Sequence, residues 1–276
     1  MSRTELVEPS WRRSHKMDCP PLKIYHKHAF NCRAFTETYY NDKPDMEFAD
    51  DTLKFPMNNF HYIFSSGFVK GDVLIDVSMS SLIHHLYSAC DIFKDIIILK
   101  LNEKCNMETS KWKDTRTGAT EWKHTSAHAA KLEGKSTQTE DKDQQLKTAI
   151  SHVISCDFEN ENITHPVELP LADCVTSLWI ADIISKDEDD YMRNLEKISK
   201  LLKPGGHLIL MAALNTTYFT AGEDRCYILT FDESFVKNAL HKLGFVIDYY
   251  AVQKSRHDRK LTDYEAFMFI TACKTK

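Results

Sequence analysis

The sequence predicts an α/β domain in which an open, mostly parallel sheet carries helices on both faces and finishes in an antiparallel strand. Three observations predict it. Short apolar runs rich in branched residues, such as Val73-Leu74-Ile75 and Ile96-Ile97-Ile98-Leu99, have the length and composition of strands buried on both faces. Segments with apolar residues at helical spacing alternate with these runs through the middle of the chain. The last two strand-like runs, 245–252 and 266–273, are separated only by a charged turn, too short for a parallel crossover. At 276 residues, 42% hydrophobic and 27% charged, the chain suits one large domain.

Residues 1–24 are polar, contain Pro9, Pro20 and Pro21, and read as an N-terminal extension without a fold signal, so the domain is taken as 25–276. Aromatics then recur, and Phe35 and Tyr39 share one face of a helix expected within about 25–45. The first strand is 73–77. Leu82, Ile83, Leu86, Tyr87, Ala89 and Cys90 recur at helical spacing and predict a helix before the second strand, 96–99. Segment 102–148 is strongly polar, anchored by Trp112 and Trp122, and is expected to hold a helix, a loop or small hairpin, and a second helix ending near Ala149. The third and fourth strands are 153–157 and 172–179. Met192, Leu195, Ile198, Leu201 and Leu202 form a helical stripe that Lys203-Pro204-Gly205-Gly206 stops, and a strand follows over 207–214. Thr230-x-x-Glu233 has the form of a capping box before a helix carrying Phe235, Val236, Ala239, Leu240 and Leu243, closed by Gly244.

Composition also narrows function. A formal net charge of -5 with no cluster of Lys and Arg lacks the footprint of a nucleic-acid or anionic-membrane binder. The apolar runs fall far short of the roughly 20 residues of a membrane span. The first residues lack the apolar core of a signal peptide. The expectation is a cytoplasmic monomer. Eight cysteines, at 19, 32, 90, 105, 156, 174, 226 and 273, include no CxxC pair and read as buried thiols. His124 and His128 would share a helix face, but no glutamate lies between them and no third ligand is identifiable, so no metal site is expected. The run Lys186-Asp187-Glu188-Asp189-Asp190 reads as acids at a helix start.

Ligands of open α/β sheets sit beyond the carboxyl ends of the strands where the strand order reverses, which directs attention to residues 76–81 and Lys100. Several short motifs stand in order around and beyond that point: Phe30-Asn31-x-Arg33 with Tyr39-Tyr40, Lys70-Gly71-Asp72, Leu74-Ile75-Asp76, Ser88-Ala89-Cys90, Cys156-Asp157, Leu169-Pro170, Ala172-Asp173-Cys174-Val175 and Leu201-Leu202-Lys203-Pro204-Gly205-Gly206. In these the chain resembles the nicotinamide, indolethylamine and phenylethanolamine N-methyltransferases, from about Tyr25 to Thr271. The resemblance implies a Rossmann-like class I methyltransferase fold with a seven-stranded sheet and an N-terminal lid helix. It implies S-adenosyl-L-methionine as methyl donor and a small amine or pyridine as acceptor. It also implies donor-binding roles for Tyr39, Tyr40, Asp76, Asp157 and Phe158, with Asp157 meeting the adenine amino group, and an acceptor pocket at Thr216, Tyr218 and Phe219. It assigns no catalytic acid or base.

The chain departs from the family at the points that hold the donor. Where the family has two glycines in the loop after the first strand, it has Ser78 and Ser80, and a left-handed residue other than glycine costs on the order of 1 to 3 kcal/mol. Where the family presents a carboxylate to the ribose hydroxyls, it has Lys100, which carries donors and no acceptor. Glu103 is the one nearby acid that could take over. A family asparagine is Cys105, two family tyrosines are Phe35 and His84, and the aspartate that holds nicotinamide's amide is Ala212. Three readings follow from these departures. The first is an eroded family member, a pseudoenzyme kept as a binding or interaction protein with a protein partner. The second is an active N-methyltransferase with a remodelled donor loop, and the third is a scaffold without any ligand.

Overall fold

A computed structural model describes residues 22–40, 48–115, 122–134, 139–255 and 260–275. Among these, seven strands form one sheet: β1 (Val73–Asp76), β2 (Asp95–Lys100), β3 (Ile150–Ser155), β4 (Ala172–Leu178), β5 (Leu202–Leu214), β8 (Phe245–Lys254) and β9 (Ala266–Lys274). Their order is β3-β2-β1-β4-β5-β9-β8; β9 alone runs antiparallel to its neighbours, inserted between β5 and β8. The order reverses between β1 and β4, which opens the crevice expected to hold the site. Consecutive residues of β1, β2, β4 and β9 are buried, so both faces of the central sheet are covered. A small hairpin of β6 (Tyr218–Ala221) and β7 (Asp224–Tyr227) stands apart from it.

Several helices differ from the sequence expectation. The single lid helix is two, α1 (Leu22–His28) and α2 (Cys32–Tyr39). The break falls at Asn31, whose side chain accepts a hydrogen bond from the Ala34 amide and so starts α2 afresh; 41–47 lies outside the described residues. A π-helical stretch, Ala49–Lys54, runs into α3 (Phe55–Ser65). The helix expected after β1 is a single 3-10 turn, His84–Tyr87. Every residue from 74 to 90 is buried, so the apolar spacing there reflects a segment enclosed on all sides and not a helix face. The polar stretch beyond β2 holds three helices, α4 (Glu103–Lys113), α5 (Lys123–Leu132) and α6 (Thr139–Ala149), with Trp112 and Trp122 buried as anchors.

After β4 come α7 (Ile180–Ile184) and α8 (Glu188–Ser199), the latter capped by Asp187 and opening with three acids, as the charge run implied. β5 starts at Leu202 and runs through Lys203-Pro204-Gly205-Gly206, with a register shift against β4, so those residues begin the strand instead of only ending the helix. The last helix, α9 (Glu233–Lys242), is capped by Asp232, whose carboxylate accepts from the Phe235 amide at 2.8 Å. Thr230 is therefore not the cap: its hydroxyl donates to the Thr216 carbonyl at 2.8 Å. Among the described residues no helix is long and apolar enough to cross a membrane, and no three side chains converge as metal ligands.

Candidate functional site: the crevice beyond β1, β2 and β4

β1 delivers Asp76 to the crevice with no exposure to solvent. One carboxylate oxygen accepts from Ser78 Oγ (2.6 Å), His85 Nε2 (2.6 Å) and Thr176 Oγ1 (2.8 Å), and the other lies 3.5 Å from Lys100 Nζ. Burial would raise the Asp76 pKa, but His85 and Lys100 beside it outweigh burial and hold the carboxyl well below the usual range. One oxygen of Asp76 is thus fully engaged from within the protein, while the other has only the Lys100 ion pair and no hydrogen bond.

The loop that follows is stitched to β4, through Val77 N to Thr176 O (2.8 Å), Met79 N to Leu178 O (3.1 Å) and Leu178 N to Ser78 Oγ (3.1 Å). Of the two serines that replace glycine, only Ser80 is left-handed, with φ 55°. Its hydroxyl donates to the Cys32 carbonyl (3.3 Å), and Ser81 Oγ meets Thr36 Oγ1 at 3.5 Å. Hydroxyls that glycine could not supply bind the loop to α2. Trp179 (φ 57°) and Asn215 (φ 51°) are left-handed as well, immediately after β4 and β5. Backbone strain therefore collects at the strand ends that ring the crevice.

Lys100 ends β2 and is 1% exposed. Its ammonium turns back beneath the loop and donates to the Ser78 and Leu82 carbonyls, both at 3.3 Å, besides facing Asp76. Glu103, the nearby acid, is exposed and accepts from Ser155 Oγ at 3.0 Å, toward β3. Asn102 caps α4 through the Lys104 amide and donates to the carbonyls of His26 (2.9 Å) and Phe30 (3.4 Å), which ties α1 to the end of β2.

Thus α1 lies against the crevice. His26 is 2% exposed, neither ring nitrogen has a hydrogen-bond partner, and burial pushes its pKa down to about 3. Lys27 Nζ lies 2.5 Å from Asp157, so the carboxylate expected to meet an adenine amino group is already paired. Phe158 is fully buried, and its carbonyl accepts from Lys197 at 2.9 Å. What space remains between His26, Phe30, Ser78, Ser80, Asn102 and Cys105 is about 10 Å³.

A second cavity of about 50 Å³ shares Ile183 with the first and lies under the lid, walled by Phe35, Tyr39, Tyr40, Met79, Trp179 and Phe219. Tyr39 donates to the Leu261 carbonyl (3.1 Å) and accepts from the Thr220 amide (3.2 Å), joining the lid to the hairpin. Tyr40 packs its ring 5.0 Å from His84 and 6.1 Å from Trp122. Of the expected acceptor residues, Thr216 and Phe219 wall this cavity and Tyr218 does not: its ring stacks against the Arg225 guanidinium at 3.5 Å. The alternation of β6 turns Tyr218 to the opposite side from Phe219. Ala212 is buried within β5, and its neighbour Ala213 takes the wall position.

Sequence reading missed Trp179 as a strained wall residue and Asp182 beside it. Asp182 sits in α7 without solvent exposure, accepts from the Ala213 amide at 3.0 Å, and has its pKa pushed up to about 7 by burial. A lone acid inside the apolar run Ile180-Ala181-Asp182-Ile183-Ile184 was the available signal.

Residues 21–275 match the model of the NNMT/PNMT/TEMT family. The chain is similar to nicotinamide N-methyltransferase of Homo sapiens, with 31% identity over 245 residues that cover 89% of this chain and 93% of the relative. Its identity to indolethylamine N-methyltransferase of Oryctolagus cuniculus is 32% over 224 residues, 81% of this chain and 85% of the relative. Among solved structures it is similar in fold to the magnesium protoporphyrin IX methyltransferase of Synechocystis PCC 6803 bound to SAM, with a TM-score of 0.56 at 11% identity, covering 92% of this chain and 95% of that one. A match along nearly the whole chain, on a sheet whose order reverses at the same crevice that the motifs single out, identifies this chain as belonging to the NNMT/PNMT/TEMT family.

Proposed function

We propose that this chain is an N-methyltransferase-family protein whose donor site no longer receives S-adenosyl-L-methionine, with weak or no methyl transfer, and that it works as a binding or interaction protein. The observation that carries the reading is Lys100, a buried ammonium held by Asp76 and two loop carbonyls where the family presents a carboxylate to the ribose. A ribose brought there would meet a cation with its acceptors already engaged, and separating that cation from Asp76 would leave a buried charge alone.

The surrounding residues do not fit the donor either. The two cavities that touch the loop hold about 10 and 50 Å³, against the roughly 300 to 1,000 Å³ of a small-molecule site. His26 and Phe30 border the smaller, and Lys27 holds Asp157. Two or three lost contacts at about 1 to 3 kcal/mol each correspond to a loss of roughly 30-fold to 10⁶-fold in affinity. The reading includes a cytoplasmic setting, favoured by seven described cysteines that are all free thiols.

A second reading, an active N-methyltransferase on a small amine or pyridine, draws on the aromatic cavity under the lid and on the strain kept at Ser80, Trp179 and Asn215. It requires α1 and Lys100 to move out of the crevice. Incubation with methyl-labelled S-adenosyl-L-methionine and a panel of amines and pyridines separates the two. The proposal expects at most a trace of labelled product on any acceptor, and turnover at roughly 1 s⁻¹ or faster, as in an ordinary enzyme, would overturn it.

A further inference from the structure

The helix that covers the crevice turns an unsatisfied polar group inward. His26 is 2% exposed, and its ring packs edge-on to Tyr25 (5.1 Å), tilted against Phe30 (5.2 Å) and stacked on Phe219 (6.2 Å), with no hydrogen-bond partner at either nitrogen. An imidazole enclosed in this way gives up hydrogen bonds to water and gains none. Other contacts hold α1 in place. Asn102 donates to the His26 and Phe30 carbonyls, Lys27 pairs with Asp157, and Tyr25 Oη lies 3.4 Å from Cys226 Sγ. The two charged side chains keep 33% and 29% of their surface in solvent, so their pair contributes little. With seven residues α1 is too short to hold as a helix by itself, and the Asn31 cap starts α2 independently of it. Such a segment opens locally before the rest of the fold does.

We propose that α1 is an acid-released plug: when His26 takes up a proton, α1 leaves the crevice and opens the space beneath it, bordered by Ser78, Ser80 and Asn102, to solvent. A protonated ring in that aromatic pocket would be a buried cation without a counterion, whereas in the opened helix it is hydrated. Burial keeps His26 neutral in the closed form down to about pH 3. Below the ordinary histidine pKa near 6.5 the opened form therefore binds a proton that the closed form refuses, and closure weakens as pH falls. The other titratable groups around α1 do not reproduce this. Tyr25, which acts with Asp224 and Cys226 of the hairpin, and Cys105 of α4 are both raised and stay protonated between pH 7 and 5. Asp157 is lowered, chiefly by its bond to Lys27 against the push of burial, and stays ionised there. His28 is already exposed. Asp182 of α7, raised to about 7 by burial, would release a proton on exposure and so oppose the effect. Opening α1 leaves Lys100 on Asp76, so the inference goes beyond the question of donor binding and holds whichever way that is answered.

Native-state hydrogen exchange of the full chain tests this, read as protection factors for the amides of 26–30 against those of β1 and β2. The α1 amides should open at least roughly tenfold more readily than the sheet. Their opening should rise roughly 25-fold between pH 7 and pH 5, the change expected for one histidine that titrates near 6.5 only when open. His26→Leu should slow the opening and remove its pH dependence. Lys27→Ala should change the opening by less than about fivefold and keep the pH dependence. The proposal is overturned if the α1 amides exchange only together with the sheet, or if their protection is the same at pH 7 and pH 5. It is equally overturned if the pH dependence survives His26→Leu or disappears in Lys27→Ala.

Discussion

Asp76 keeps its place at the end of β1 but changes its company. His85, Ser78, Thr176 and Lys100 all converge on one buried carboxylate. Asp76→Asn should cost roughly 3 to 5 kcal/mol in urea denaturation, since it strands a buried ammonium. Titration adds a second test. His26 and His84 are both depressed by burial, so between pH 6.5 and about 3 the unfolded chain binds protons that folded His26 does not, and stability falls as pH falls. Asp182, raised to about 7, works the other way, because the folded state holds its proton down from there to the unfolded pKa. His128 and His207 are lowered as well and add to the loss below 6.5, which Asp182 offsets only in part. His26→Leu should flatten that slope in a series of urea melts from pH 6.5 to 4.5. An unchanged slope would show that His26 is not buried as described.

Among the elements, the start of β1 is built as tightly as its end. Asp173 accepts from the Asp72 and Val73 amides and pairs with Lys203 at 2.6 Å, which clamps β1 to β4 and β5. Gly71, at φ 154°, passes so close that a Cβ would lie 2.2 Å from Asp173 Cβ. Gly71→Ala should therefore destabilise by roughly 2 to 4 kcal/mol, read as a lower thermal midpoint. A change within error would mean that the clamp is slack. Strands were more legible than helices in this chain, for a physical reason: Ile96-Ile97-Ile98-Leu99 is apolar whichever way it faces, whereas the helix expected over 82–90 depended on one polar face that total burial removes. Asn31 divides the lid by capping, a local hydrogen bond that apolar spacing does not register.

For the whole molecule, the sheet order, the antiparallel β9 and the position of the crevice follow from the pattern of apolar runs and the motifs along them. The residues that have replaced the family's at the site were also legible one by one, Ser78, Ser80, Lys100, Cys105 and Ala212. What they do together was not. Lys100 folds back on Asp76 and α1 carries Lys27 to Asp157, and each contact joins residues far apart in sequence. Tyr218 shows the same limit on a small scale, since a four-residue strand decides which side of the hairpin it faces. In the proposed reading, these contacts leave a methyl donor without the partners it would need in the crevice. Isothermal titration calorimetry with S-adenosyl-L-methionine tests that most directly: no binding heat is expected up to roughly 1 mM ligand, and a dissociation constant in the micromolar range would contradict it.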